Sequence, residues 1–160
     1  MKVLHVIWDL GQGGAQRYLV DLLKEHQYDI HSRILVLTEP GPLSTDAEKV
    51  CDRIDYLYMS GGKDFISFIQ IIRFLHAVEC SVIHSHSNNI LFNIALHFQS
   101  RPVIYTEHGG RLLEGALADR SIYRFLYRPI TRFIAISRYM GNVMQRQNPA
   151  IKDRIAIIYN

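Results

Sequence analysis

A few short stretches hold the residues whose types and spacing could do chemistry. The first is "WDLGQGGAQR" (8–17), where Gly11, Gly13 and Gly14 stand between an apolar run and a helical pattern. Glycine has no Cβ, so a ligand can approach the main chain there. A helix N-terminus adds unpaired N–H groups and partial positive charge, which suit phosphate. The GxGG spacing is neither the GxGxxG fingerprint nor a P-loop, which needs Lys-Ser/Thr after its glycines. A tight strand-to-helix turn with nothing bound fits it equally well.

His84 and His86 lie two apart on a strand pattern, so their side chains share a face. His86 is nearer the strand's carboxyl end and is expected to reach a cleft as metal ligand, acid/base group or hydrogen-bond donor. His84 reads as a satisfied buried histidine. A zinc site would have to draw its third ligand from His108, with no acidic group apparent behind it, and none is expected. In "TEHGG" (106–110) His108 sits at a strand tip ahead of two glycines. It can donate to a sugar hydroxyl or a phosphate and titrates near neutrality; a plain turn histidine is the alternative. Glu107 points to the other face if the strand continues, so no Glu–His pair is implied. There is no GxSxG nucleophile motif, and Ser137 reads as a helix N-cap.

"RSIYRFLYRPITR" (120–132) repeats Arg120, Arg124, Arg128 and Arg132 every fourth residue among aliphatic and aromatic side chains. On a helix this forms a basic stripe. Such a stripe suits an interfacial membrane helix, and equally an amphipathic helix whose arginine stems cover a core edge. Single-stranded nucleic acid would need a longer basic groove.

These groups need a frame, and the chain's pattern supplies one. Short apolar runs at 3–8, 33–38, 54–59, 82–86, 103–106, 133–136 and 155–159 read as strands. Helical patterns at 15–26, 65–78, 89–98, 119–127 and 138–147 lie between them, and 109–118 reads as a loop. Alternating strands and helices predict an α/β fold with a doubly wound, Rossmann-like parallel sheet. Nearly all-apolar strands agree, since such strands are covered on both faces. Ligands in this architecture bind at the carboxyl ends of the strands, which selects residues 9–14, 84–88, 106–111 and 137–138.

Bulk properties bound the rest. The 160 residues are 48% apolar and 21% charged, with net charge +3, which suits one soluble domain with a sizeable core and no nucleic-acid partner. Cys51 and Cys80 lie far apart without metal-ligand spacing and read as free thiols in a reducing compartment. No apolar run approaches the ~18 residues of a membrane span. With no signal peptide at the start, a cytoplasmic location is expected.

In order and spacing, "GGAQR" (13–17), "VIHSH" (82–86), "VIYTEHG" (103–109), "FIAISRYM" (133–140) and "IAIIYN" (155–160) resemble the N-terminal half of family 4 glycosyltransferases. These are retaining enzymes of the two-domain GT-B fold. The resemblance implies that residues 1–160 form the N-terminal, acceptor-side domain. It further implies that the C-terminal nucleotide-sugar domain, with its pair of glutamates, is absent from the chain. It implies His108 as the catalytic group near the transferred sugar, and Gly13, Gly14 and Arg17 near the donor diphosphate. It places Asp9, His86, Ser137 and Arg138 on the acceptor side of the cleft. The family commonly has Glu where Gln16 stands. The implied partners are a nucleotide sugar, a sugar or lipid-linked acceptor and the missing second domain, with peripheral contact at the inner membrane face through 120–132. No cofactor or metal is implied. The expected role is cell-surface polysaccharide or glycolipid synthesis, with the isolated domain inactive. The alternatives are a non-catalytic phospholigand-binding module and a GT-B nucleotide-sugar epimerase fragment.

Overall fold

The computed structural model describes residues 1–26, 28–59, 65–109 and 120–159. The strands are β1 (Lys2–Ile7), β2 (His31–Val36), β3 (Arg53–Tyr56), β4 (Val82–Ser85), β5 (Val103–Glu107), β6 (Arg132–Ala135) and β7 (Ile155–Ile157). Between them run α1 (Gly14–His26), α2 (Ser44–Glu48), α3 (Phe65–Ala77), α4 (Ile90–Ala95), α5 (Arg120–Leu126) and α6 (Arg138–Gln147). All pairings are parallel, in the order β3-β2-β1-β4-β5-β6-β7. The order reverses between β1 and β4, which is the switch point where ligands bind in such sheets.

Side-chain alternation sorts the core into two layers. Leu4 and Val6 of β1 join α3 to α6 through Ile71, Leu75, Phe92, Leu126 and Met140. Ile7 faces α1 and α2 with Leu19, Val20, Leu23 and Ala47. His5 shares the second face. Because His5 pairs in register with His84, His84 falls on the α1 side too, as does His86 just past the end of β4, against Tyr18. The two helix layers cover β1 and β2 on both faces, so their inner residues are almost wholly apolar.

Local signals set the element ends. Asn89 caps α4 by accepting from the Phe92 amide (2.9 Å), and Ser137 caps α6 by accepting from the Met140 amide (3.1 Å). Past the end of α3, Arg101 donates to the carbonyls of Val78 (2.7 Å) and Leu75, where a cation complements the helix dipole.

The structure corrects the arginine stripe. The helix carrying Arg124 ends at Leu126, ahead of Pro129, whose ring cannot sit inside a helix. Arg128 lies in the following turn, and Arg132 opens β6, donating to the Asp153 carbonyl (3.3 Å). The four arginines therefore do not line one helix. Two short elements carry no periodic signal: the five-residue α2 and the 3-10 segment Pro149–Arg154. The loop at 109–118, apart from Gly109, lies outside the described residues. No helix among the described residues is long and apolar enough to cross a membrane, and Cys51 and Cys80 are free.

Candidate functional site

The glycine turn leads from β1 into α1, and Asp9 organises it. The Asp9 carboxylate accepts from the Gly11 amide (2.8 Å) and from the Gln16 side-chain amide (2.7 Å) through the same oxygen. A Glu at position 16 could not make the second bond, because two carboxylates would face each other. No described glycine has a positive φ, so backbone conformation does not demand glycine here. A Cβ on Gly13 would collide with the Gln16 amide oxygen, whereas one on Gly14 would meet nothing within 4 Å. Nothing among the described residues accounts for Gly14. It opens α1 at the protein surface, with the exposed Arg17 one turn on.

Beside this helix start lies a cluster of histidines. His5, His84 and His86 are buried, at 4%, 8% and 8% exposure. His5 Nδ1 lies 3.3 Å from His86 Nε2, and His86 Nδ1 lies 3.0 Å from His108 Nε2. His84 Nε2 is 2.7 Å from the Thr106 hydroxyl. Tyr18 of α1 meets the His108 ring edge-on, with centroids 5.2 Å apart, and lies 6.3 Å from His86. One cluster therefore draws on β1, β4, β5, the β5 tip and α1.

Burial decides its charge. Desolvation pushes His5 down to about 4, His108 down to about 4 and His84 down to about 3, the last also repelled by His5 and His108. His86 falls well below its ordinary value, through burial first and then through its histidine neighbours. All four are neutral imidazoles at physiological pH.

One ring nitrogen each of His5, His84 and His86 lies within 4.8 Å of the others, a spacing that admits a cation. The third histidine of that group is His5, not His108 as the strand pattern suggested. Both nitrogens of His86 already face imidazole partners, and the charged-state neighbours of His84 and His86 are themselves histidines. Among the described residues no carboxylate pairs with these rings.

On the opposite face, buried Glu107 accepts from the Tyr105 hydroxyl (2.9 Å) and the Gly109 amide (3.1 Å). Its carboxyl is raised above the ordinary range, chiefly by burial. It does not pair with His108, as alternation along β5 requires. It anchors the backbone just beyond that histidine.

Of the residues singled out in the sequence, His86 and His108 come together directly; Gly14 and Arg17 lie on the helix that carries Tyr18 against them, and Gly13 immediately precedes it. Asp9 is a turn clamp. Ser137 spends its hydroxyl on capping α6, and the exposed Arg138 opens that helix. No hydrogen bond or ring contact joins either of them to the histidines. His5 and Tyr18 were missed. The signal for His5 was its place two residues into an apolar strand that the doubly wound order pairs with β4. Nothing in sequence spacing marked Tyr18.

The fold is similar to that of Anabaena HepE solved with UDP and glucose (TM-score 0.77, 18% identity), covering 100% of this chain and 44% of that one. A glycosyltransferase from Rickettsia africae matches with TM-score 0.74 and 13% identity, covering 99% and 42%. The UDP-GlcNAc 2-epimerase from Methanocaldococcus jannaschii matches with TM-score 0.62 and 12% identity, covering 98% and 45%. The chain thus spans less than half the length of these structures. They define its class, a Rossmann-like α/β domain of the GT-B type. The sequence also matches the model of Glycosyltransferase Family 4 over residues 12–160, and the chain belongs to that family. A search of the curated proteins gives no match.

Proposed function

We propose that residues 1–160 serve as the acceptor-side domain of a retaining glycosyltransferase that moves a sugar from a nucleoside diphosphate sugar to an acceptor hydroxyl. The observation that carries this reading is the pairing at the switch point of neutral His108 with a bare helix start, Gly13 and Gly14, linked through Tyr18. The α1 N-terminus, with Arg17 behind it, offers amides and positive charge to the diphosphate. His108 is the catalytic group, donating to the transferred sugar or its leaving oxygen. Asp9 clamps the turn, and His86, Ser137 and Arg138 border the acceptor side.

The donor class is supported by HepE, solved with UDP and with UDP-glucose. No metal is needed in this scheme, because helix-start amides and basic side chains neutralise the leaving diphosphate. An acceptor in polysaccharide or glycolipid synthesis, and a cytoplasmic setting near the inner membrane face, complete the proposal. The two free thiols fit such a reducing compartment.

The test is a transfer assay on the natural full-length polypeptide carrying this domain, with labelled nucleotide sugars and EDTA present. His108→Ala is expected to lower kcat roughly 10²–10⁴-fold with donor KM little changed. Residues 1–160 alone are expected to transfer nothing; robust transfer by them would overturn the reading. The epimerase relative favours one second reading, conversion of a nucleotide sugar to its epimer. Product formed without any acceptor would establish that instead.

A further inference from the structure

His5, His86 and His108 form a chain with an unusual regularity. Each link joins Nδ1 of one ring to Nε2 of the next: His5 Nδ1 to His86 Nε2 (3.3 Å), and His86 Nδ1 to His108 Nε2 (3.0 Å). A neutral imidazole carries one N–H and one lone pair. A link holds a hydrogen bond only if one of its two nitrogens is protonated and the other is not. With three neutral rings in series, only two arrangements satisfy both links. In one, all three rings carry the proton on Nδ1, and His108 is left with a free Nδ1–H. In the other, all three carry it on Nε2, and His108 is left with a free Nδ1 lone pair. Any mixed set puts two lone pairs, or two N–H groups, face to face inside the protein, where a lost hydrogen bond is costly.

We propose that His5 and His86 are positioning residues that fix, through this chain, whether His108 presents a donor or an acceptor to its ligand. This rests on His108 being the ligand-facing member, as in the function proposed above. A ligand oxygen that accepts from His108, whether phosphate or sugar hydroxyl, selects the form with all three protons on Nδ1. His84 stands outside the chain: its Nε2 is held by Thr106, and its ring lies tilted by 40° against His86 with centroids 4.1 Å apart. It supports the ring plane of His86 without sharing its protons.

The experiment is a long-range ¹H–¹⁵N correlation on the 160-residue chain labelled with ¹⁵N-histidine, at pH 7.5, before and after adding EDTA. It reads the tautomer of each ring and needs no donor or acceptor sugar, so it stands whether or not transfer is ever seen. His5, His86 and His108 are expected to report the same tautomer. In His5→Phe, His108 is expected to pass from two well-separated ring ¹⁵N resonances towards an averaged pair. In His5→Asn, whose side-chain amide can stand where Nδ1 stood, the wild-type pattern at His86 and His108 is expected to return. Unlike tautomers among the three rings of the wild type would overturn the proposal. So would a folded His5→Phe with His108 unchanged, or a wild-type spectrum that alters on adding EDTA, which would mean metal-bound rings. Should His5→Phe fail to fold, the wild-type tautomers and His5→Asn decide the matter.

Discussion

The two ends of the sheet are built on opposite electrostatic plans. The carboxyl ends of β1, β4 and β5 gather four neutral histidines with no ion pair among them. The amino ends carry paired polar and charged groups: Lys2–Glu79 at 2.8 Å and His31–Asp52 at 3.3 Å in the open, and the half-buried Asp55 held by Arg33 and Arg53 at 2.5 and 2.9 Å. A cavity of about 460 Å³ lies at this amino end, lined by Lys2, His31, Arg33 and Glu79 among others. We place function at the carboxyl end nonetheless. The amino-end groups already satisfy one another in opposite-charge or polar pairs, whereas the histidine cluster holds polar rings in a desolvated place that stability alone does not require.

Acid should break this contrast most strongly. The unfolded histidines take up protons near 6.5, while burial holds His5 and His108 neutral down to about 4 and His84 down to about 3. The folded values are depressed, so the stabilisation is complete above pH 6.5 and is lost as pH falls towards 4. At pH 5 each such histidine should cost roughly 2 kcal/mol. Urea melts at pH 7.5, 6 and 5 should show a steep fall. A flat profile would mean that the rings are protonated or solvated in the native state.

Next in size is Thr106→Val, which keeps shape but leaves His84 Nε2 without its partner. It should destabilise the domain by about 1–3 kcal/mol, read from the urea midpoint. Gln16→Glu tests the Asp9 clamp. It should cost roughly 1 kcal/mol at pH 7.5, read from the urea midpoint, because it sets like charges against each other. Gly14→Ala should leave the melt unchanged, since its Cβ meets open space. It should weaken nucleotide-sugar binding by the full-length protein, measured calorimetrically. At the amino end, Lys2→Ala should shift no melt measurably, because the pair with Glu79 is fully hydrated. A clear loss there would erase the contrast between the two ends.

Much of the fold was legible because its signals are local. Seven apolar runs in strand-helix alternation predicted the doubly wound sheet, and β5, β7 and α6 begin where the patterns placed them. α2 was not legible, since five residues are too few to show a period. The arginine repeat misled because a four-residue spacing reads as helical whether or not the backbone continues, and Pro129 stops it. In the candidate site, His86 and His108, singled out from their strand-end positions, come together at 3.0 Å. His5 was hidden because its meaning depends on register across the β1–β4 seam, and Tyr18 because its partners come from β4 and β5. Asp9 was placed at the mouth of β1, but its use as a clamp required the side chain of Gln16.

That seam also says something about how the domain is made. Val3 pairs with Val82, so a loop of nearly half the chain must close before β1 meets β4. Such distant pairings are slow to form, because closure entropy is spent before contacts repay it. β1 with β2, α1 and α2 can assemble as an early unit, while His5 waits, still hydrated, for strands synthesised much later. The moment its ring loses the ability to take up a proton is then a clock for completion of the domain. Stopped-flow refolding followed by pH-jump proton uptake would time the birth of the site separately from the collapse of the core.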